Sequence, residues 1–148
     1  MATSFRNLQV WRNAMDLVVE IYTVTKTFPV DERYGLTSQL RRAAVSVPSN
    51  IGEGKRRRRQ KAFAHHLDIA LGSQGEMEVQ LEIAHRVGFL SPSDYERLRA
   101  DTEEIGRMPE VEVDEPDVEF GSTPPPGDPI LERALKVVAG EVVEKKAA

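Results

Sequence analysis

A short segment between two helical stretches constrains this chain most. It reads Val-Ser-Val-Pro-Ser-Asn-Ile-Gly-Glu-Gly over residues 45–54. Pro48 removes a backbone donor and predicts a kink in the preceding helix, and Gly52 and Gly54 are typical of a helix end. Five consecutive cations follow at once: Lys55, Arg56, Arg57, Arg58 and Arg59. The segment therefore predicts a sharp corner between two helices that carries concentrated positive charge.

Hydrophobic periodicity predicts four helices upstream of Pro109. They span roughly residues 7–28, 37–51, 60–87 and 92–108. Pro29 ends the first helix, and Ser91 begins a capping sequence for the fourth. Because connections of a few residues join antiparallel neighbours, the pattern predicts an all-α fold, an antiparallel up-down four-helix bundle. Gly72 and Gly75 in the third helix are expected to permit close backbone approach.

The first helix carries two apolar stripes, whereas a surface helix of a monomer usually shows one, about 100° wide. One stripe consists of Leu8, Trp11, Met15, Val18 and Tyr22. The other includes Val10, Leu17, Ile21 and Val24. A monomer this small is expected to cover only one stripe, so the second is predicted to contact another subunit. The chain is therefore predicted to form a homo-oligomer.

Charge and composition divide the chain after residue 108. Residues 1–108 hold 16 Lys and Arg against 14 Asp and Glu, whereas residues 109–148 hold 4 against 10. The first part is predicted to be the bundle. The acidic, Pro- and Gly-rich residues 109–127 predict a disordered linker. Residues 128–148 predict a short amphipathic C-terminal helix, with Asp128 as its N-cap.

Several motifs carry a resemblance to a known family. They are Phe5-x-x-Leu8-x-Val10-Trp11, Tyr-Gly-Leu-Thr-Ser-Gln-Leu-Arg-Arg-Ala over residues 34–43, Ala70-Leu71-Gly72-Ser73, and the motif formed by Pro48, Ser49, Asn50, Ile51, Glu53 and Gly54. Roughly residues 5–108 resemble the four-helix-bundle family encoded within intervening sequences of bacterial 23S ribosomal RNA genes. Accessory variability proteins of diversity-generating retroelements look like relatives of that family.

The resemblance implies a bundle that assembles into a ring of five subunits. The intervening-sequence members have no established activity, whereas the retroelement relatives bind a reverse transcriptase and RNA through basic surfaces. The family usually has Ala where Gly52 stands in this sequence. It also usually extends its fourth helix beyond the position that Pro109 occupies.

The basic corner is the strongest functional candidate in the sequence. Its predicted binding residues are Arg41, Arg42, Lys55, Arg56, Arg57, Arg58, Arg59 and Lys61. Cations in the first turn of a helix oppose its macrodipole, so helix stability does not account for a run placed there. The run predicts binding to the phosphates of RNA or of a ribonucleoprotein or reverse-transcriptase partner. Aromatic content of 6% favours contacts with backbone and shape over base stacking.

Other chemistries lack the residues that they need. Without cysteine there is no disulfide, thiolate metal site or Cys nucleophile. Glu82 and His85 have the Glu-x-x-His spacing of di-iron bundles, but that site needs two such sets, so neither metal nor cofactor is predicted. Ser46, Ser49 and Asn50 are expected to form hydrogen bonds at a helix end, and catalysis is not predicted.

The sequence therefore predicts a non-enzymatic protein. It also predicts a cytoplasmic one, since no apolar run reaches the roughly 20 residues of a membrane span. The alternative to RNA binding is a protein-interaction scaffold that uses the acidic C-terminal tail. The two differ in their response to salt, because binding to phosphates weakens steeply as salt rises.

Overall fold

The computed structural model describes residues 4–57 and 59–107. Its α-helices are α1 Gln9–Val24, α2 Leu36–Arg56, α3 Gln60–Arg86 and α4 Pro92–Arg107, with 3-10 turns at Phe5–Asn7, Thr25–Thr27 and Val30–Tyr34. Every regular element in these residues is helical, which confirms the predicted four-helix fold. The predicted linker over 109–127 and C-terminal helix over 128–148 lie outside the described residues.

The four helices form a bundle in which consecutive helices run antiparallel. Between α2 and α3, Asn50 is hydrogen-bonded to His66 and Ser46 to Ser73. Residue numbers therefore rise in opposite directions along the two helices. Helix α1 packs against α2 and α4, and α3 packs against the same two helices. Helices α1 and α3 therefore lie at opposite corners of the bundle.

The stripe of α1 that was assigned to another subunit lies in the core of the single chain. Val10, Leu17 and Ile21 are buried there, and Val24 packs against the same cluster. The prediction that these four residues form an oligomer contact is wrong, because α2 and α4 cover them within one chain. In the other stripe, Leu8 is buried and Trp11 and Val18 pack against the core, whereas Met15 and Tyr22 are exposed, as is Val19 beside them, at 63%.

Helix α2 continues past its predicted end at Ile51 and finishes at Arg56. Gly52 and Gly54 are buried inside it, so they do not terminate the helix. A Cβ atom added to Gly54 would lie 2.8 Å from His66 Cβ and 2.8 Å from Phe63 Cδ2. Glycine is present at this position because α2 and α3 approach each other closely there.

Close approach was predicted instead for Gly72 and Gly75 in α3. An added Cβ at either position has no described atom within 4 Å, so this prediction is wrong within the chain. Pro48 lies inside α2 as expected and is buried. The kink that it predicts stays a prediction.

Helix α4 begins with the predicted cap. The backbone N–H of Asp94 donates to Ser91 Oγ over 3.1 Å, and Pro92 occupies the first helical position. The cap satisfies one of the backbone donors that a helix start leaves free. Across residues 4–57 and 59–107, no helix is long and apolar enough to cross a membrane.

Candidate nucleic-acid interface

The basic corner is a tight junction between α2 and α3. Its first residues belong to α2: Lys55 and Arg56 lie in the last turn, and Arg57 is the C-cap, its N–H donating to the carbonyl of Gly54 over 3.1 Å. Arg59 is the N-cap of α3 and has extended backbone. The corner is therefore closed by only a few residues, all of which are basic in the sequence.

This arrangement corrects the electrostatic reasoning from the sequence. Lys55 and Arg56 sit at a helix C-terminus, where cations are stabilising, and only Arg59 and Lys61 lie at the start of α3. The expectation that the whole run opposes a helix dipole is wrong, because α2 is longer than predicted. Arg58 lies outside the described residues.

Few carboxylates balance the charge of the corner. Arg57 pairs with Glu53 over 2.6 Å, and the Arg56 guanidinium lies 5.3 Å from the centre of the Phe5 ring. Within the described part of the chain, Arg59 and Lys61 are exposed and have no carboxylate within 4.0 Å. The arginines of α3 and α4 differ, since each of them pairs with a carboxylate: Arg86, Arg97, Arg99 and Arg107.

Arg41 and Arg42 do not join the corner. Fourteen residues separate Arg42 from Arg56, which is about 21 Å along the axis of α2. Arg41 instead donates from Nε to Thr25 Oγ1 over 2.8 Å, and its guanidinium lies 4.6 Å from the centre of the Tyr22 ring. The predicted basic set is therefore divided between the two ends of one helix.

A groove near the N-terminal end of α2 brings Arg41 and Arg42 together with residues that sequence reasoning missed. Arg33, Tyr34 and Tyr22 line it beside them. These residues come from three separate stretches of chain, so their proximity is a property of the fold. The sequence did contain one signal. Tyr34 belongs to no apolar stripe, so its ring is not expected in the core and is available for another role.

The corner and the motif that leads into it belong to the part of the chain with known relatives. The sequence profile of the 23S rRNA-intervening sequence protein family matches residues 6–110. The chain belongs to this family. The match confirms the resemblance drawn from the motifs at residues 5–11 and 45–54.

A solved structure with the same architecture comes from Bacteroides thetaiotaomicron and is described as a protein with unknown function from the S23 ribosomal protein family. It is 27% identical and superposes with a TM-score of 0.60, covering 66% of this chain and 91% of that chain. The comparison with curated proteins gives no match.

In this member of the 23S rRNA-intervening sequence family, the motif before the corner joins α2 to α3. Asn50 Nδ2 donates to the carbonyl of Ser46 over 2.9 Å, and Asn50 Oδ1 lies 3.0 Å from His66 Nδ1. His66 Nε2 lies 3.7 Å from Glu53 Oε1. The hydrogen bond from Arg57, followed by the charge of His66, holds the pKa of Glu53 below its usual value.

These contacts give the motif a structural role within the helices. The prediction that Ser46, Ser49 and Asn50 form hydrogen bonds is confirmed, but they do so inside α2 because the helix ends later than expected. Ser49 Oγ donates to the carbonyl of Val45 over 2.7 Å. The motif therefore fixes the position of the corner on the bundle.

Glu82 and His85 are engaged by the α3–α4 contact. Glu82 accepts hydrogen bonds from the Tyr95 hydroxyl and from Arg86, and both lower its pKa. The same contact raises the pKa of Tyr95, whose ring stacks on His85 at 4.3 Å. In residues 4–57 and 59–107, no three or more His, Asp or Glu side chains are grouped closely enough to hold a metal ion.

Proposed function

We propose that this chain is a non-enzymatic RNA-binding protein whose contact surface is the basic corner between α2 and α3. The observation that carries the proposal is the concentration of cations at the corner, where Arg57 is the only described arginine that pairs with a carboxylate. Carboxylates neutralise the described arginines of α3 and α4, whereas Arg59 and Lys61 are exposed with no described carboxylate nearby. Cations left without counter-charges are available to phosphates.

The shape of the corner favours a phosphate backbone as the ligand. Its cations lie close together in sequence, between the end of α2 at Arg56 and the start of α3 at Gln60. Phosphate contacts of this kind provide affinity with little base discrimination. RNA, free or within a ribonucleoprotein that contains a reverse transcriptase, is the partner class proposed, and the site needs no cofactor.

Ring assembly would multiply this charge, and two apolar surfaces support it. One surface is on α1, where Val19 is 63% exposed and Met15 lies nearby. The other is on α3, where Val79 is 60% exposed and Ile83 and Val87 are also accessible. Because α1 and α3 lie at opposite corners, the two surfaces are suited to head-to-tail contact, which forms a ring when the rotation between subunits closes. We propose a homo-oligomer, and the family resemblance favours a pentamer.

The acidic residues 109–148 are expected to compete with RNA for the cations of the corner. Residues 109–148 hold 10 Asp and Glu against 4 Lys and Arg, so their charge is opposite to that of the corner. Deleting them is expected to strengthen RNA binding. If residues 109–148 instead bind a protein partner, the chain is an interaction scaffold. In that case neither the full chain nor the chain without these residues binds RNA.

A matched pair of variants tests the proposal. The corner variant carries Arg56→Ser and Arg59→Ser, and the control variant carries Arg86→Ser and Arg107→Ser, whose arginines pair with carboxylates. Both variants lose two positive charges. Filter binding to an RNA hairpin at about 0.1 M salt should show about 30-fold weaker binding by the corner variant, because each lost phosphate contact removes about 0.7–0.9 from log K per tenfold decrease in salt below 1 M. The control variant should bind within a few-fold of the unmutated protein.

Equal losses in the two variants would mean that net charge, and not the corner, determines binding. Absence of binding by both the unmutated and the tail-deleted protein would refute RNA binding and leave the scaffold function.

A further inference from the structure

The groove near the N-terminal end of α2 has the composition of a second binding site. It encloses about 490 Å³ and lies about 20 Å from the basic corner along the helix. We call it the arginine–tyrosine groove, after Arg33, Arg41, Arg42, Tyr22 and Tyr34 in its lining. Of these residues, Arg33, Arg42 and Tyr34 are exposed and lie outside the core.

The two tyrosines present their rings to the outside. Tyr34 is 87% exposed and Tyr22 is 42% exposed. The Arg33 guanidinium lies 5.6 Å from the centre of the Tyr34 ring, in cation–π range. Such an exposed aromatic ring contributes almost nothing to folding, but its face is suited to stacking against a flat ligand.

The arginines of the groove have different tasks. Arg41 is fixed by Thr25 and by the Tyr22 ring, and so holds that ring in place. Arg33 and Arg42 are exposed and, within residues 4–57 and 59–107, form no ion pair. The neighbouring Glu32 forms no ion pair with either of them; its carboxylate accepts the backbone N–H of Leu36 over 2.9 Å.

A buried polar atom marks the wall of the groove. Thr37 is only 6% exposed, and its hydroxyl has no hydrogen-bond partner among the described residues. Thr37 belongs to the lining of the groove.

We propose that the arginine–tyrosine groove binds an unpaired segment of RNA. A base stacks on Tyr34, and Arg33 and Arg42 contact the phosphates on either side of it. This proposal rests on the proposed function for the class of ligand and adds a preference for single strands, which the corner does not provide. An acidic peptide would use the guanidinium groups but would leave the exposed Tyr34 face without a purpose.

The test compares single-stranded and duplex RNA in one set of variants. The probes are a fluorescein-labelled 12-nucleotide oligouridine and a labelled 12-base-pair RNA duplex, and the readout is fluorescence anisotropy on the full chain. Tyr34→Ala should weaken oligouridine binding about 5- to 150-fold, the range measured for losing one stacked base, and leave duplex binding unchanged. Tyr34→Phe keeps the ring and should bind oligouridine as the unmutated protein does.

Outcomes for the groove and for the corner are separable. If the corner variant weakens duplex binding while Tyr34→Ala leaves oligouridine binding unchanged, the groove proposal is wrong and the proposed function stands. If only Tyr34→Ala has an effect, and only on oligouridine, the groove stands and the corner is not the contact surface. Failure of the unmutated protein to bind either probe overturns both.

Two further results count against the groove. Equal weakening of the two probes by Tyr34→Ala would mean that the residue does not read single strands. Binding of a labelled peptide of residues 109–127 that Arg33→Ser and Arg42→Ser abolish, with oligouridine binding intact, would assign the groove to the tail of the chain. Thermal melting of each variant verifies that it is folded, which the high exposure of Tyr34 leads us to expect.

Discussion

Two neighbouring glycines of α2 should respond in opposite ways to the same substitution. Gly52 and Gly54 both lie inside the helix and both are buried. A Cβ at Gly52 would meet the Phe5 ring at 3.5 Å, an ordinary contact distance, whereas one at Gly54 would lie 2.8 Å from His66 Cβ. We therefore expect Gly52→Ala to stabilise the bundle and Gly54→Ala to destabilise it.

The magnitudes follow from two terms. Ala is favoured over Gly in a helix interior by about 1 kcal/mol, and both variants gain this term. Only Gly54→Ala meets a steric cost, because carbon atoms pack at about 3.5–4.0 Å and His66 Cβ cannot move without moving the backbone of α3. Overpacking of this kind costs about 1–3 kcal/mol. The free energies of unfolding of the two variants should thus differ by about 1–3 kcal/mol.

Thermal unfolding followed by circular dichroism measures the difference, with all proteins at one concentration. For a domain of this size about 1 kcal/mol corresponds to 4–8 °C, so Gly54→Ala should melt at least about 4 °C below Gly52→Ala. Comparing the two variants cancels the helix-propensity term and isolates the steric one. Equal melting temperatures, or a more stable Gly54→Ala protein, would refute close α2–α3 packing as the reason for this glycine.

Three further predictions concern assembly, the α3–α4 contact and the tail. Val19→Glu or Val79→Glu should yield a folded monomer while the unmutated protein is an oligomer by multi-angle light scattering; a monomer in the unmutated protein would refute head-to-tail assembly. Glu82→Gln should lower the pKa of Tyr95 towards its ordinary value in an absorbance titration at alkaline pH, because the carboxylate stabilises the neutral phenol; an unchanged titration would exclude that hydrogen bond. Truncation after Met108 should preserve helical content and assembly, and loss of either would place the tail in the core.

The architecture of the bundle could be predicted because local signals agreed with one another. Apolar periodicity and the Ser91 cap each set a helix or its boundary without reference to distant residues, whereas α1 ends at Val24 and not at the residue before Pro29. The cap is formed as expected, with Asp94 N–H on Ser91 Oγ. Features that depend only on residues within one turn of a helix can be predicted from the sequence.

Features that depend on which helices pack together could not be predicted from the sequence. The two stripes of α1 look alike in sequence, and only the positions of α2 and α4 decide that Leu17 and Ile21 are the buried pair. Gly54 was interpreted as a helix end because its actual neighbour, His66, belongs to α3. Periodicity cannot distinguish a glycine that ends a helix from one that admits a second helix.

The proposed binding surface shows the same limit. The contiguous cations of the corner were evident in the sequence, but Arg41 and Arg42 were grouped with them although α2 holds them about 20 Å away. Arg33 and Tyr34 were missed because a separate turn brings them to the groove. Sequence proximity predicted where cations are concentrated, whereas only the fold shows that Arg41 and Arg42 lie apart from the corner.

The salt dependence of RNA binding tests the central claim most directly. Each phosphate contact contributes about 0.7–0.9 to the slope of log K against log salt. If Arg56 and Arg59 contact phosphates, changing both to Ser should make the slope shallower by about 1.4–1.8, while the control substitutions at Arg86 and Arg107 leave it unchanged. An identical slope in the corner variant and the unmutated protein would contradict the assignment of the corner as the RNA-binding surface.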